Sequence, residues 1–321
     1  MTNSSSNNDI NTNSKQYSKD QDHSYNFLYP IIDDAMGIAR LYGYIDKESQ
    51  KLVSPQLIER YEKEADRFWD KFYKKNNNNF FKDRHWLTRE FPEVLQHADY
   101  KKTGDEEVDA KHRLTMFEVG CGVGNTTLPL LELNSNLYFH SFDFSQHAVK
   151  LLAQAVEENE GYRGRCVSFV FNAIDGYDSM PVKAEPNSMD LVIIIFVLSA
   201  MDPKTIPSCV DMCHKVLKPG GKVLIRDYAI DDMAQNRFDS TNINEIDQQV
   251  IASGSKNKLG DNFHVRFDGT RAYYFSLEIL ESLFKEKGFK TEQNIYVERK
   301  VFNRKHNNLM ERKFIQSKFI K

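Results

Sequence analysis

Three glycines at alternate positions, Gly120, Gly122 and Gly124, follow directly on the apolar run 114–119. A helical pattern begins at about residue 125. A strand that ends in such a turn and passes into a helix is a nucleotide-type ligand turn, because glycine lets the backbone approach a ligand where a Cβ would collide. The spacing is not GxGxxG, since Asn125 stands one place past Gly124. A pyrophosphate cradle therefore fits poorly. A glycine cluster alone is weak evidence, because turns of this kind also serve packing. Asp143 adds weight: it closes the next apolar run, 138–143, where a carboxylate can accept both hydroxyls of an adenosine ribose.

The elements that must position these residues can be read from the pattern. Short apolar runs at 114–119, 138–143, 166–171, 190–198 and 222–227 alternate with helical patterns from about 125, at 146–158 and at 203–217. The run 190–198 is almost wholly apolar, as a strand covered on both faces should be. Such alternation predicts a doubly wound parallel sheet, with ligand groups at the carboxyl ends of the strands near the switch point. Lys218-Pro-Gly-Gly is expected to stop the preceding helix and to start the fifth strand at Lys222. A helix over 276–287 closes at Gly288, and strands 294–302 and 313–319 complete the sheet as a hairpin. Upstream, 54–75 reads as one helix, opened by Ser54-Pro55 and ended by the Asn run 76–79. Residues 26–50 are read as a short docked helix, 99–112 as a surface linker and 231–262 as a mobile polar insertion.

The chain has 321 residues with 40% hydrophobic content and a formal net charge of −3. That is enough apolar material for a sizeable core, and it excludes a protein that binds nucleic acid by overall basicity. Any anionic partner must meet a local patch. Residues 299–321 supply one, with eight Lys or Arg and a single acid, Glu311; a solvated face is the plainer reading of that run. The four cysteines are too few for a disulfide scaffold. Cys209, Cys213 and His214 lack a second ligand pair at zinc spacing, so buried packing is expected and no metal. No run is long enough to span a membrane, and residues 1–25, rich in Asn and Ser, read as a disordered tail.

The segment FFKDRHWLTREF (80–91) sets Lys82, Arg84, His85 and Arg89 among Phe80, Phe81, Trp86 and Phe91. It is expected to pack its aromatics inward and turn its bases partly toward phosphate. The alternative is purely structural, with Asp83 and Glu90 pairing these bases.

The glycine turn, Asp143 and LKPGGKVLIRDY (217–228) together resemble the class I S-adenosylmethionine-dependent methyltransferases over about residues 110–321. More specific stretches, WDKFYKKNNNNFFKDRHWLTREF (69–91), FEVGCGVGNTTLPLL (117–131), IFVLSAMDP (195–203), IRDYAIDDMAQNRF (225–238), FHVRFDGTRAYYFS (263–276) and FIQSKFIK (314–321), resemble the tRNA 3-methylcytidine methyltransferases from about residue 54 onward. The form VRFDGTRAYYF is closest to the branch acting on serine tRNAs. The resemblance implies an α/β fold of the class I, Rossmann-like type, mostly parallel with an antiparallel C-terminal hairpin. It divides the chain into a tail at 1–25, an N-terminal helical extension at 26–105 serving as cofactor lid and tRNA-binding part, and a methyltransferase domain at 106–321. It also implies methylation of N3 of cytidine 32 in the anticodon loop.

Carried over residue by residue, the resemblance puts Trp69 and Tyr73 over the cofactor, Gly120 and Gly122 beneath its amino-acid part, Asp143 on the ribose and Ile195 in the pocket wall. An acid is expected near the adenine, where this chain has Ile174 followed by Asp175; either Asp175 takes the role or the backbone does. The residues 239–257 are longer than the family usual and are expected to form a disordered loop. Phosphate contacts are expected from Lys82, Arg84, His85, Arg89, Arg266, Arg271, Arg299, Arg304 and Lys305. Partners implied are the tRNA anticodon stem-loop and an aminoacyl-tRNA synthetase such as seryl-tRNA synthetase, with a monomeric enzyme in the cytoplasm or also the nucleus.

Cytosine N3 carries a free lone pair near neutral pH, so alignment and exclusion of water should supply most of the rate. A carboxylate near the ring would favour the positive charge that develops on it. Asp227 is the candidate, against a helix cap or an ion pair with Arg226, and Tyr228 would stack on the base or serve packing. The rival readings are a methyltransferase acting on a small molecule or protein, and a catalytically silent RNA-binding subunit.

Overall fold

The computed structural model describes residues 53–78, 80–182, 184–239, 257–303 and 308–321. The expected tail at 1–25, the helix within 26–50, most of the 239–257 insertion, Arg304 and Lys305 lie outside the described residues. Among the described residues no helix is long and apolar enough to cross a membrane.

Seven strands form one sheet in the order β3-β2-β1-β4-β5-β10-β9. They are β1 (Leu114–Val119), β2 (Leu137–Asp143), β3 (Cys166–Val170), β4 (Met189–Ile195), β5 (Leu217–Tyr228), β9 (Lys290–Asn303) and β10 (Asn308–Ile320). The pairs from β3 to β5 are parallel; β10 lies antiparallel to both β5 and β9. The central strands are apolar along their length because helices cover both faces. One core forms around Phe117, Val192, Ile194 and Ile225 and takes in Cys209 and Cys213; the opposite face packs around Met116, Phe139, Ile193 and Leu224.

The connecting helices follow their local signals. Helix α6 (Gln146–Glu158) is capped by Ser145, whose hydroxyl accepts from Ala148 N–H, and α9 (Leu277–Lys285) by Ser276 in the same way. Helix α7 (Ile206–Val216) begins at a proline, and α5 (Thr127–Leu133) starts two residues later than the pattern indicates. The expected helix over 54–75 is two helices, α1 (Pro55–Lys63) and α2 (Ala65–Asn76), broken at Glu64 with φ −106° and ψ 17°. Short α3 (Leu87–Glu90) and α4 (Glu106–Ala110) follow before β1.

Two further expectations are corrected. The fifth strand begins at Leu217, not Lys222: Leu217 already pairs with Met189, and the register shifts across Gly220-Gly221 before Leu191 pairs with Lys222. The helix stop and the strand start therefore coincide, which a pattern reading separates. Within 231–262, the described residues form helix α8 (Met233–Asp239) and strand β6 (Lys258–Gly260). Strand β6 joins β7 (Phe263–Val265) and β8 (Arg271–Tyr273) in a second, antiparallel sheet. Three-residue strands are too short to show alternation, so periodicity misses them.

The segment 86–95 is clipped to the sheet by two carboxylates. Glu90 contacts Arg226 at 3.4 Å and Arg299 at 2.8 Å, while Glu93 contacts Lys318 at 2.7 Å and Lys222 at 3.4 Å. Arg226 is buried, stacks over Trp86 at 4.7 Å and donates to the Gln316 carboxamide oxygen. Burial pulls its guanidinium down to about 10, against the pull of Glu90. Glu90→Ala leaves that buried cation without its carboxylate. The expected cost is about 3 kcal/mol, the low end for breaking a buried pair because Gln316 and Trp86 remain. It is read as a lower urea midpoint at unchanged slope. Arg89→Ala removes an exposed partner of Glu90 and should cost under about 1 kcal/mol.

Candidate active site

A cavity of about 590 Å³ opens at the carboxyl ends of the strands, beside the point where the order reverses between β1 and β4. Gly120 lines its floor, while Gly122 of the same turn does not line it and packs against Tyr73. Gly120 has φ +66° and Gly122 φ +54°, conformations that side chains adopt at a cost. A Cβ on Gly120 would lie 2.5 Å from Val197, and one on Gly122 2.6 Å from the Tyr73 hydroxyl. Cys121 N–H donates to Phe142 O and Gly122 N–H to a carboxylate oxygen of Asp143, both at 2.9 Å. The other oxygen of Asp143 accepts from Ser145 N–H at 2.9 Å. Burial pushes the Asp143 carboxyl up to about 6, opposed by these two amides. The acid thus lines the cavity with its carboxylate held in place by backbone amides.

Helix α2 closes one side. Trp69 and Tyr73 stand one turn apart with ring centroids at 5.9 Å, and both line the cavity as the resemblance implies. The helix is anchored by Asp70, which accepts from Ser145 Oγ at 2.9 Å and His147 N–H at 3.0 Å. Partial burial would raise the Asp70 carboxyl, but donors from Lys74, His147 and Ser145 hold it below its usual range. The lid is thereby tied to the start of the helix that follows Asp143.

Beyond β3, Ile174 and Asp175 both line the cavity within a short 3-10 turn. Ile174 leans on the core, and Asp175 N–H closes the turn onto Asn172 O. The sequence reading passed over Asn172 itself. It is the second residue past β3, it lines the cavity, and its carboxamide carries both an acceptor and donors, the complement of an adenine edge. Its place directly after the strand-forming run was the available signal.

The opposite wall is aromatic. Ile195 ends β4 and lines the cavity, followed by Phe196 at φ +59°. That left-handed backbone costs on the order of 1 kcal/mol and turns the ring toward Tyr228, at 5.1 Å. Tyr228 lines the cavity with Arg266 over its ring at 5.5 Å and Arg312 at 5.6 Å. Asp227 does not line it. Its carboxylate is fully buried behind Tyr228 and accepts from Ser199 N–H at 3.0 Å and Tyr228 N–H at 2.8 Å. Burial pushes its carboxyl up to about 6. The bond from Ser199 N–H makes Asp227 a cap on the first turn of the short 3-10 helix Leu198–Ala200, as one alternative expected, while Arg226 points to the other face of the strand and donates to Gln316.

The expected phosphate contacts divide. Lys82, His85 and Arg89 are exposed, and Arg299 is half-exposed beside Glu90. Arg84 is turned inward: it lines the cavity, donates to Thr126 Oγ1 at 2.6 Å and sits over Phe196 at 5.9 Å. Burial pulls the Arg84 guanidinium down, opposed by the nearby carboxylate of Glu118, which burial itself pushes up to about 6. Arg271 is buried in an ion pair with Glu62, and Arg266 is tethered to Thr270 Oγ1 and Arg271 O. In 80–91, Leu87 and Phe91 are fully buried, but Phe80 is 59% exposed against Phe72 and Phe81. Asp83 accepts from Asn125 rather than from a base.

A methyltransferase-domain family model matches residues 117–223. Over most of its length the chain is similar to known proteins. It is 42% identical over 277 residues to the tRNA N(3)-cytidine methyltransferase METTL6 of Rattus norvegicus, covering 86% of each chain. It is 39% identical to the tRNA N(3)-methylcytidine methyltransferase Mettl2 of Drosophila melanogaster, covering 86% of this chain and 78% of the other. It is 38% identical to the tRNA(Thr) (cytosine(32)-N(3))-methyltransferase of Saccharomyces cerevisiae, covering 85% of this chain and 40% of the other.

Asp143→Ala should weaken S-adenosylmethionine binding by at least about 100-fold, two charged hydrogen bonds at about 1.5–3 kcal/mol each, measured by calorimetry. The raised carboxyl sets the sign with pH. The acceptor form is lost as pH falls through about 6, so wild-type affinity should decline below that pH. Asp143→Asn should remove that part of the pH dependence.

Proposed function

The chain belongs to the tRNA N(3)-cytidine methyltransferases, and on that footing we propose that it transfers a methyl group from S-adenosylmethionine to N3 of cytidine 32 in the anticodon loop of tRNA. The observation that carries this reading is the identity of about 40% to named enzymes of that activity over 86% of the chain. The residues present fit the cofactor: two glycines that a Cβ would fill, a buried acid at a ribose position, and an aromatic lid.

When bound, the cofactor supplies an electrophilic methyl on a sulfonium. The chain's own residues do the rest. Asp143 accepts from the ribose, Trp69 and Tyr73 cover it, and the carboxamide of Asn172 meets the adenine. Arg84, turned inward onto Thr126 and over Phe196, is placed for the cofactor's carboxylate. Tyr228 offers its face to the target base beside Phe196. Asp227, behind Tyr228, fixes that ring through the backbone and contributes negative potential where the product ring becomes cationic. Cytosine N3 needs no base to free its lone pair, so positioning and exclusion of water are the main contributions.

A base in a loop is easier to splay out than one in a duplex, which suits a substrate read on its Watson–Crick edge. Lys82 and His85 are exposed bases available to phosphate, whereas Arg89 and Arg299 share Glu90 and would exchange it for phosphate. We place the substrates among serine tRNAs on the strength of the segment VRFDGTRAYYF, with seryl-tRNA synthetase as the partner that would aid selection.

Methyl transfer from labelled cofactor to total tRNA, with nucleoside analysis, should give 3-methylcytidine, and Asp143→Ala should abolish it. Serine and threonine tRNA transcripts, with and without seryl-tRNA synthetase, decide the finer assignment. Cofactor binding with no tRNA labelled under any of these conditions would favour a small-molecule or protein substrate. Separately, Tyr228→Phe should keep kcat/KM within a few-fold, and Tyr228→Ala should lower it by roughly 5- to 150-fold, the range of one lost stacking contact.

A further inference from the structure

Phe267 is 83% exposed, the highest value for any large hydrophobic side chain among the described residues. It stands in the turn joining β7 to β8, at a position that ordinarily favours polar or small residues. The turn is firmly built. Gly269 N–H donates to Arg266 O at 3.0 Å, and Arg266 N–H to Thr270 O at 2.7 Å. Thr270 donates from both N–H and hydroxyl to one oxygen of Asp268. Gly269, at φ +85°, packs so closely on Phe68 of the lid helix that a Cβ there would lie 2.2 Å from the ring. The backbone that displays Phe267 is therefore fixed against α2, beside Trp69. Its neighbours at both ends of the turn, Arg266 and Arg271, line the active cavity, and Arg266 lies over Tyr228. An exposed aromatic is thus held on a rigid turn at the rim of the cavity, next to a guanidinium that faces inward.

We propose that Phe267 stacks on a nucleobase of the RNA adjoining the target cytidine, and so fills the gap left when that base enters the cavity. The inference rests on the tRNA reading above and assigns a residue to the step that reading requires. An exposed π-face binds a base regardless of its identity, and a flanking cation adds to it. Rigidity matters because a pre-formed platform loses little entropy on contact.

The test compares Phe267→Ala, Phe267→Leu and Phe267→Trp on an unmodified tRNA transcript bearing cytidine at position 32. Single-turnover methylation, RNA binding by anisotropy and cofactor binding are all measured. A 2-aminopurine next to the target in an anticodon stem-loop reports stacking. The expected result is a loss of roughly 5- to 150-fold in RNA affinity or methylation for Ala. Leu should be similarly weak, Trp near wild type, cofactor affinity unchanged, and 2-aminopurine quenching reduced with Ala. An Ala variant equal to wild type on active RNA overturns the proposal. Leu equal to wild type with Ala impaired overturns it too, because apolar bulk then suffices, as at a protein contact. If wild type binds and methylates no RNA, the tRNA reading itself fails and this inference falls with it. An active wild type with an indifferent Phe267 leaves the tRNA reading standing.

Discussion

The acid at the end of the second strand, Asp143, is buried beside a backbone amide, and most of the cavity depends on that contact. A carboxylate removed from water keeps its charge only if donors replace the solvent. Here the donors are Gly122 N–H and Ser145 N–H, so one acid draws in the glycine turn after β1 and the start of α6. Ser145 then bonds to Asp70 of the lid helix. A single chain of hydrogen bonds runs from the floor of the cavity to its cover. The glycines are required because the turn is pulled so close to Tyr73 and Val197 that no side chain fits.

Three buried acids, Glu118, Asp143 and Asp227, share the same condition: burial lifts each to about 6. In every case the folded state holds its proton more tightly than the unfolded chain would. Each therefore lowers folding stability as pH rises from about 4 to about 6, and the penalty is complete above that. All three stand at the cavity or just behind its wall: Asp143 lines it, Glu118 lies near Arg84, and Asp227 sits behind Tyr228. The strained backbone of Phe196 belongs with them, since a left-handed residue persists only where surrounding structure holds it.

Much of this was legible in the sequence. The five parallel strands, Trp69, Tyr73, the glycine turn, Asp143, Ile195 and Tyr228 stand where patterns and resemblance put them. Local rules are strong there: a strand covered on both faces is apolar throughout, and a close approach demands glycine. What escaped depends on contacts far apart in sequence. Arg84 turns inward to Thr126 and Arg271 to Glu62, partners far away in sequence, and no local pattern carries that choice. Asp227 looked like a group facing substrate because it ends a strand, but strand alternation gives that direction to Tyr228 instead. The small sheet β6-β7-β8 has strands of only three residues, and the helix break at Glu64 has no proline or glycine to announce it.

The order β5-β10-β9 places a later strand inside an earlier one. Among the described strands β9 pairs only with β10, so it stays outside the sheet until β10, which follows it, has paired with β5. Gly220 and Gly221 likewise wait for Lys321, which bonds to both. The lid-side segment waits as well, because Glu93 meets Lys318 and Glu90 meets Arg299. On the ribosome, the parallel half can form early, while a charged, unpaired ribbon remains outside it. Such distant closure folds slowly and exposes a strand edge meanwhile. Nascent molecules should therefore depend on chaperones until β10 has been made, and chains that stop before that strand should meet quality control rather than accumulate as partly active enzyme.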